Sequence, residues 1–311
     1  MINCDRLQNL SERILIMEFK FFDTSEIFAK AEREDLYDMG DNLLNYENSG
    51  FSHRWIQPPV ACYFMSTIDE YGNANLAPVS MGSAVWGEPP NANWFFAIAV
   101  QNSRDSQKNL LKTGECVISY YTYPLIRQSI MSSMPIPHGI SEIDVCRLTA
   151  LPSKKVKPCG IAECVSNLEC RLLHHYQVAN TTIFILEVIG ASVLVKAIEE
   201  DQEHPYQPGL VMTDLLYEVS ITSTDGNPRM NFTRMNLEKI ERAGDEFGDP
   251  RHWIGNFQTW MEGEVERGKQ TATECDEMIK LNQLWLNNPN PITNADVKEE
   301  LTTRLSSLLF D

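Results

Sequence analysis

The sequence predicts a mainly β fold of the α+β class, with an antiparallel β zone set between helical N- and C-terminal extensions. Three observations lead there. Apolar runs of strand length recur from about Trp55 to about Arg234. Helix-spaced apolar residues dominate both ends of the chain. A turn sequence, Asp69-Glu70-Tyr71-Gly72-Asn73, joins two of the apolar runs as a hairpin would, with Gly72 free to take a positive φ.

In chain order, residues 1–54 carry helix-like spacing at Leu7, Leu10 and Ile14 and again at Ile27 and Ala31, an amphipathic lead-in. The β zone opens with Val60–Thr67, and Leu76–Ser80 follows the turn. Trp94–Val100 is continuously apolar, as a buried strand is. Cys116–Tyr121 and Thr181–Val188 read as further strands, and Leu168–Val178 as a half-buried one alternating Leu168, Cys170, Leu172 and Tyr176 with polar neighbours. One helix interrupts the zone between Ser103 and Gly114: Ser103 or Asp105 can cap its start, and Gly114 stands where a left-handed residue ends a helix. Ser141, three residues before Asp144, marks the start of another. Towards the C-terminus, Phe257, Trp260 and Met261 form one apolar face and Met278, Leu281 and Trp285 another. After Pro289 and Pro291, Thr293 caps a last helix with Val297, Leu301, Leu305 and Leu308 on one side. Such stripes dock on a core or on a second subunit. The expected division is a helical N-terminal extension over 1–54, a β domain over 55–235 and a helical C-terminal extension over 236–311.

Charge narrows the function. The 311 residues include 43 acidic and 26 basic ones, a net charge of −17. So acidic a surface disfavours nucleic acid and anionic membranes, and an anionic ligand needs a locally cationic pocket. The eight cysteines are irregularly spaced, and Cys62, Cys116, Cys146, Cys164 and Cys170 sit among apolar neighbours, as free thiols in a reducing setting do. Charged residues interrupt the start of the chain, and no run approaches the roughly 20 apolar residues of a membrane span. The expectation is a cytoplasmic protein.

Two segments carry chemistry. Asn75-Leu76-Ala77-Pro78-Val79-Ser80-Met81-Gly82-Ser83 reads as a strand ending in a proline turn, then small and hydroxyl residues that leave backbone amides open to a flat ligand. The Ser103–Gly114 helix offers unpaired amides at its positive end, with Arg104, Ser106 and Lys108 close by, a ready anion site. Taken alone, its Asp105 and Ser106 read as capping residues and its cations as a solvated face.

Together, and in this order, the segments resemble the flavin reductase-like family, which includes the flavoredoxins. The resemblance rests on Asn75-Leu76-Ala77-Pro78-Val79-Ser80 with Pro89-Pro90, then on Arg104-Asp105-Ser106-Gln107-Lys108-Asn109 with Thr113-Gly114-Glu115. Gly139–Ile143 with Leu148-Thr149, Val156–Glu163, Leu168-Glu169-Cys170-Arg171-Leu172 and Phe184–Val188 continue it over about residues 55–235. It implies an FMN-binding split β-barrel of six antiparallel strands, and a homodimer with FMN near the subunit interface. Asn75, Ala77, Pro78, Val79, Ser80 and Ser83 would line the ring and ribityl chain. Ser103, Arg104, Ser106 and Lys108 would hold the phosphate, with Asp105 and Asn109 in the same motif. The implied activity is hydride transfer from NADH or NADPH, a transient co-substrate, to FMN and on to a small-molecule or protein acceptor. A flavoprotein oxygenase and a non-catalytic FMN-binding module are the alternatives. No acid–base residue is implied, because the flavin supplies the hard chemistry. Some relatives carry Gly-Asp-His before the last barrel strand; this chain has Ala179-Asn180-Thr181-Thr182.

Other groups read more plainly. His174 and His175 fall on opposite faces of one strand and cannot easily share a metal. Cys159, Cys164 and Cys170 lack zinc-site spacing. Neither a Gly-x-Ser-x-Gly elbow nor a Gly-rich nucleotide loop occurs. Lys154, Lys155 and Lys157 form a basic loop that in a dimer could reach the partner's phosphate. Trp86 and Trp94 flank the Pro-Pro turn, where packing is the simpler role.

Overall fold

The computed structural model describes residues 61–86, 94–195 and 256–310, with the backbone of three strands between residues 207 and 234. The expected N-terminal helices, the Pro89-Pro90 turn and residues 235–255 lie outside the described residues. The strands are β1 (Tyr63–Ile68), β2 (Ala74–Val79), β3 (Gly82–Trp86), β4 (Trp94–Gln101), β5 (Glu115–Tyr120), β6 (Ala150–Leu151), β7 (Gly160–Ile161), β8 (Ser166–Val178) and β9 (Thr181–Val193), followed by β10 (Gln207–Val211), β11 (Tyr217–Thr222) and β12 (Arg229–Arg234). The helices are α1 (Asp105–Thr113), α2 (Ile126–Met131), α3 (Glu142–Val145), α4 (Phe257–Glu266), α5 (Ala272–Asn287) and α6 (Ala295–Phe310).

Seven strands form one antiparallel sheet in the order β2-β1-β5-β8-β9-β4-β3. Its two outermost strands, β2 and β3, are consecutive in the chain and joined only by Ser80 and Met81. Three Cα steps reach about 11 Å at most, so the two ends of the sheet must meet. The sheet therefore curls into a barrel split along the β2–β3 seam. The close approach of Tyr63 on β1 to Gly82 on β3 reports the same closure: a Cβ on Gly82 would lie 2.2 Å from the Tyr63 hydroxyl and 2.7 Å from the Ala97 carbonyl. Pro78 fits inside β2 because an edge strand leaves alternate amides unpaired.

Most expected strands are present, with two differences. The resemblance implied six strands, and the ladder has seven. The seventh is β3, built on Gly82, Ser83 and Ala84, weak strand formers that read as an open loop and are ordered by pairing with β4, Ala84 opposite Phe96. In β8 the expected alternation is absent. Asn167, Leu168, Glu169 and Cys170 are all buried, whereas His174 to Val178 are all exposed.

Two hydrophobic clusters share the sheet. The barrel interior holds Tyr63, Met65, Phe96, Ile98, Leu110, Cys116, Ile118, Phe184 and Leu186. The other face of β1 and β2, through Phe64 and Leu76, joins a second cluster with Tyr121, Ile143, Trp260, Met278, Trp285, Leu301 and Leu305. The C-terminal helices thus dock on the barrel, and β1 is buried on both faces, which is why it opens on three consecutive apolar residues, Tyr63-Phe64-Met65. Their starts follow local chemistry: Thr271 and Glu274 form a reciprocal capping box at α5, and Asn256 caps α4. Helix α6 begins at Ala295, two residues after the Thr293 expected to cap it.

The Tyr63 hydroxyl is buried and has no hydrogen-bond partner among the described residues. Burial raises its pKa and keeps it neutral. An unmet buried hydroxyl costs roughly 1–3 kcal/mol. Tyr63→Phe is therefore expected to raise the unfolding free energy by about 1 kcal/mol in a denaturant titration. Gly82→Ala should lower it by at least about 1–3 kcal/mol through overpacking.

Candidate functional site

The corner where β2 turns into β3 carries the first predicted segment. Asn75, Ala77, Pro78, Val79 and Ser80 are half-buried along the sheet edge and the turn, and Ser83 is exposed on β3. Met81, at the corner, accepts a hydrogen bond from the Ala99 amide at 2.7 Å, which fixes the turn against β4. From the outer side, the Leu76 amide donates to Glu142 Oε2 at 2.7 Å.

Helix α1 lies next to this edge. Asn75 Nδ2 donates to Ser106 Oγ at 3.0 Å and to Thr67 Oγ1 at 3.3 Å, and Asn109 Nδ2 donates to the same Thr67 oxygen at 3.2 Å. Gln107 Nε2 donates to Thr182 Oγ1 of β9 at 3.0 Å. Three predicted residues, Asn75, Ser106 and Asn109, are thereby tied together, Ser106 through Asn75 and Asn109 through Thr67, which sequence reasoning missed. Its signal was a hydroxyl closing an otherwise apolar buried strand. Ser106 and Asn109 are buried, so they fasten the helix to β1 and β2, while Ser103, Arg104 and Lys108 are exposed at its mouth.

The helix start differs from expectation. Neither Ser103 nor Asp105 caps it: Arg104 occupies the N-cap position in an extended conformation and makes no side-chain capping bond. Asp105 is already helical, and its carboxylate is turned elsewhere. Its Oδ1 accepts from Lys108 Nζ at 3.0 Å, and its Oδ2 lies 3.1 Å from His138 Nδ1. The first amides of α1 are thus left without a side-chain cap, at the positive end of the helix and beside an exposed guanidinium. The far end is as predicted: Gly114 is left-handed at φ 70° and its amide caps Leu110.

Sequence reasoning also missed three acid–base groups around this mouth, His138, Asp69 and Glu142. His138 belongs to no motif, Asp69 reads from sequence only as part of the Asp69–Asn73 turn, and Glu142 only as part of the family-like Gly139–Ile143 segment. Partial burial acts to raise the Asp105 carboxyl, but hydrogen bonds from His138 and Lys108 outweigh it and hold the group below the usual carboxylate range. The same hydrogen bond raises His138 above the ordinary imidazole value, against its partial burial. Asp69, 5% exposed, organises the β1–β2 turn: Oδ1 accepts from the amides of Tyr71 and Asn73, both at 2.8 Å. Glu142 opens α3, whose N-cap Ser141 accepts from the Asp144 amide as expected. Burial pushes the Glu142 carboxyl up to about 8, against the opposing bond from the Leu76 amide. It is a neutral acid at pH 7.

The basic loop is also built on carboxylates. Glu169 accepts from the amides of Lys154 and Lys155 at 2.9 and 2.6 Å, and Glu115 accepts from that of Lys157 at 3.0 Å. All three lysines are exposed. His174 and His175 are exposed, and Ala179, at φ 50°, sits in the two-residue turn joining β8 to β9. The seven described cysteines are free thiols. No helix among the described residues is long and apolar enough to cross a membrane.

Residues 58–217, just over half of the chain, match the flavin reductase like domain, so the chain belongs to the flavin reductase-like family. Its curled, open-seamed sheet with C-terminal helices is the split barrel of that family. Over 200 residues it is 27% identical to an uncharacterized protein of Methanothermobacter thermautotrophicus, a match covering 63% of this chain and 91% of that protein. Among solved structures it is similar to nitrilotriacetate monooxygenase component B from Bacillus cereus, at 17% identity, 71% and 100% coverage and a TM-score of 0.48. It is also similar to flavoredoxin of Desulfovibrio vulgaris (Miyazaki F), at 16% identity, 58% and 90% coverage and a TM-score of 0.43.

The raised Glu142 value has a consequence for stability. The folded chain holds this proton from pH 4.5 to about 8, where the unfolded chain has lost it. Stability therefore falls as pH rises through that window and levels off above it. Glu142→Gln is expected to flatten the decline in melting temperature between pH 5 and 8 and to gain on the parent at pH 8.5.

Proposed function

We propose that the chain is an FMN-dependent oxidoreductase that takes hydride from NADH or NADPH and passes electrons to an acceptor. The observation that carries this reading is the uncapped start of α1, with exposed Ser103 and Arg104, fastened by Asn75 and Ser106 to the β2 edge inside the family-matched segment. The residues fit the group. A phosphate needs amide donors and a cation in a chain of net charge −17, and both are present at one helix end. A flat ring needs an edge without bulky side chains, and Ala77, Pro78 and Ser80 supply it next door.

When bound, FMN supplies the hydride-accepting chemistry. The chain's own part is to bind and orient. The amides of the first turn of α1 and the Arg104 guanidinium neutralise the phosphate. The half-buried Ala77–Ser80 backbone offers donors and acceptors to the ring edge, and the Ser80–Met81 corner, pinned through the Ala99 amide, keeps that edge rigid. No side chain is assigned a proton-transfer step. A homodimer is part of the proposal. Beyond Leu172, β8 pairs with β9 alone among the described residues and exposes Leu173, Tyr176 and Val178, a strand edge suited to a second copy.

Purified protein is expected to be yellow, to release FMN on denaturation, and to bleach when NADH or NADPH is added without oxygen. Stable colour that neither nucleotide bleaches would leave a flavin-binding module instead. Arg104→Ala is expected to weaken FMN binding about ten- to a hundredfold while sparing riboflavin, since a charge-assisted bond contributes roughly 1.5–3 kcal/mol. Equal losses for both flavins, measured by fluorescence quenching, would remove Arg104 from the phosphate.

A further inference from the structure

Helices α5 and α6 lie outside the family-matched segment, yet they brace the mouth of α1 through a run of polar side chains. Lys298 Nζ on α6 donates to Asn73 Oδ1 at 2.8 Å. Asn73 Nδ2 donates to Asp69 Oδ2 at 2.7 Å. That oxygen lies 3.8 Å from His138 Nε2, and His138 Nδ1 lies 3.1 Å from Asp105 Oδ2. Lys108 then closes on the other oxygen of Asp105. Helix α5 holds the same loop by its backbone, Trp285 Nε1 donating to the His138 carbonyl at 2.6 Å. Gly139 follows at φ 81°, where a Cβ would come within 3.0 Å of the Trp285 ring. The loop cannot shift without disturbing α5.

Charges alternate along this run: Lys298, Asp69, His138, Asp105, Lys108. Asp105 is the awkward member. It sits in the first helical turn, where a phosphate would approach, and its negative charge repels that ligand unless it is balanced. Lys108 occupies one carboxylate oxygen and His138 the other. We propose that His138, braced from α6 through Lys298, is a positioning residue that controls anion binding at the first turn of α1 by neutralising Asp105. The proposal rests on the FMN reading above and adds what regulates that site: with His138 protonated the run carries one net positive charge, and without the proton none.

Among the described residues, the charged groups facing His138 are Asp105 and Lys108 from α1 and Asp69 from the β1–β2 turn, with Lys298 from α6 behind Asn73. The buried Glu142 of α3 acts on Asp105 and so on the same pair. The hydrogen bond with Asp105 favours the protonated imidazole, so the balance is lost as pH rises through the His138 titration.

The test is a titration of the full chain with FMN between pH 5.5 and 8.5, followed by flavin fluorescence, with riboflavin as the phosphate-free control. A phosphate monoester loses its second proton near pH 6, a change common to every variant, so variants are compared at each pH. Compared with His138→Gln at the same pH, the parent is expected to bind FMN about tenfold tighter at low pH and equally at high pH, with riboflavin unaffected. His138→Gln should keep only the pH dependence that the phosphate itself contributes. Adding Asp105→Asn to His138→Gln should restore tight binding with that same residual dependence, which a merely structural loss would not do. Lys298→Met should shift the midpoint of the parent profile, because it removes the brace on Asn73, which holds Asp69 against His138. If His138→Gln keeps the parent's FMN affinity and pH profile, the proposal is overturned and FMN binding stands. If the parent binds no FMN at any pH, both fall.

Discussion

Two residues, Ser80 and Met81, hold together strands that are farthest apart in a seven-stranded ladder, and most of the molecule follows from that short tether. Strand twist would let such a sheet stay open. The link forces it to roll until its outer members meet, and the rolled interior is then filled from β1, β4, β5 and β9. The same tether explains why only glycine fits at position 82, where Tyr63 and the Ala97 carbonyl leave no room for a side chain. The candidate ligand edge lies beside α1 because β2 pairs with β1, Asn75 opposite Thr67, and both strands are fastened to the helix. The barrel closes for reasons of connectivity, and its seam is where the chemistry is expected.

An edge strand has amides to satisfy, and this chain does it with a carboxylic acid. Glu142 meets the outward amide of Leu76 from a fully covered position, where a charged carboxylate would be costly. Holding a proton lowers that cost and still leaves an acceptor for the bond. The neighbouring acids take the other route. Asp69 collects two backbone amides and the Asn73 side chain, and Asp105 collects a lysine and a histidine. One small region thus contains a carboxyl held low by its donors, Asp105, and one kept neutral by burial, Glu142, within a single packed support.

Much of the fold was legible because periodicity and turn chemistry are local. The hairpin at Gly72, the cap at Gly114 and the faces bearing Trp260 and Trp285 all follow from residues near in sequence, as does the Trp94–Val100 strand, although Trp94 is exposed and only Phe96, Ile98 and Val100 of that run are buried. What escaped notice depends on distant partners. β3 has poor local preference and exists because β4 offers it a ladder. The inner half of β8 is covered on both faces, so alternation fails there. In the candidate site the motif residues were found, but their roles split in a way only packing decides. Ser106 and Asn109 face inward and fasten the helix, whereas Ser103 and Arg104 face out. Thr67 and His138 carry no motif, Asp69 reads only as a turn residue and Glu142 only as part of a family-like segment, and the importance of all four comes from neighbours up to 229 positions away, as for Asp69 and Lys298.

The shared cluster beneath β1 and β2 bears on how the chain can be dissected. The family-matched segment ends at residue 217, but Phe64, Leu76 and Tyr121 are covered partly by Trp260, Trp285 and Leu305, which lie beyond it. A fragment cut at that boundary would carry an uncovered greasy flank and lose the brace on Asn73 as well. The physical unit runs through α6, so the border drawn by kinship is not the border at which the chain can be severed.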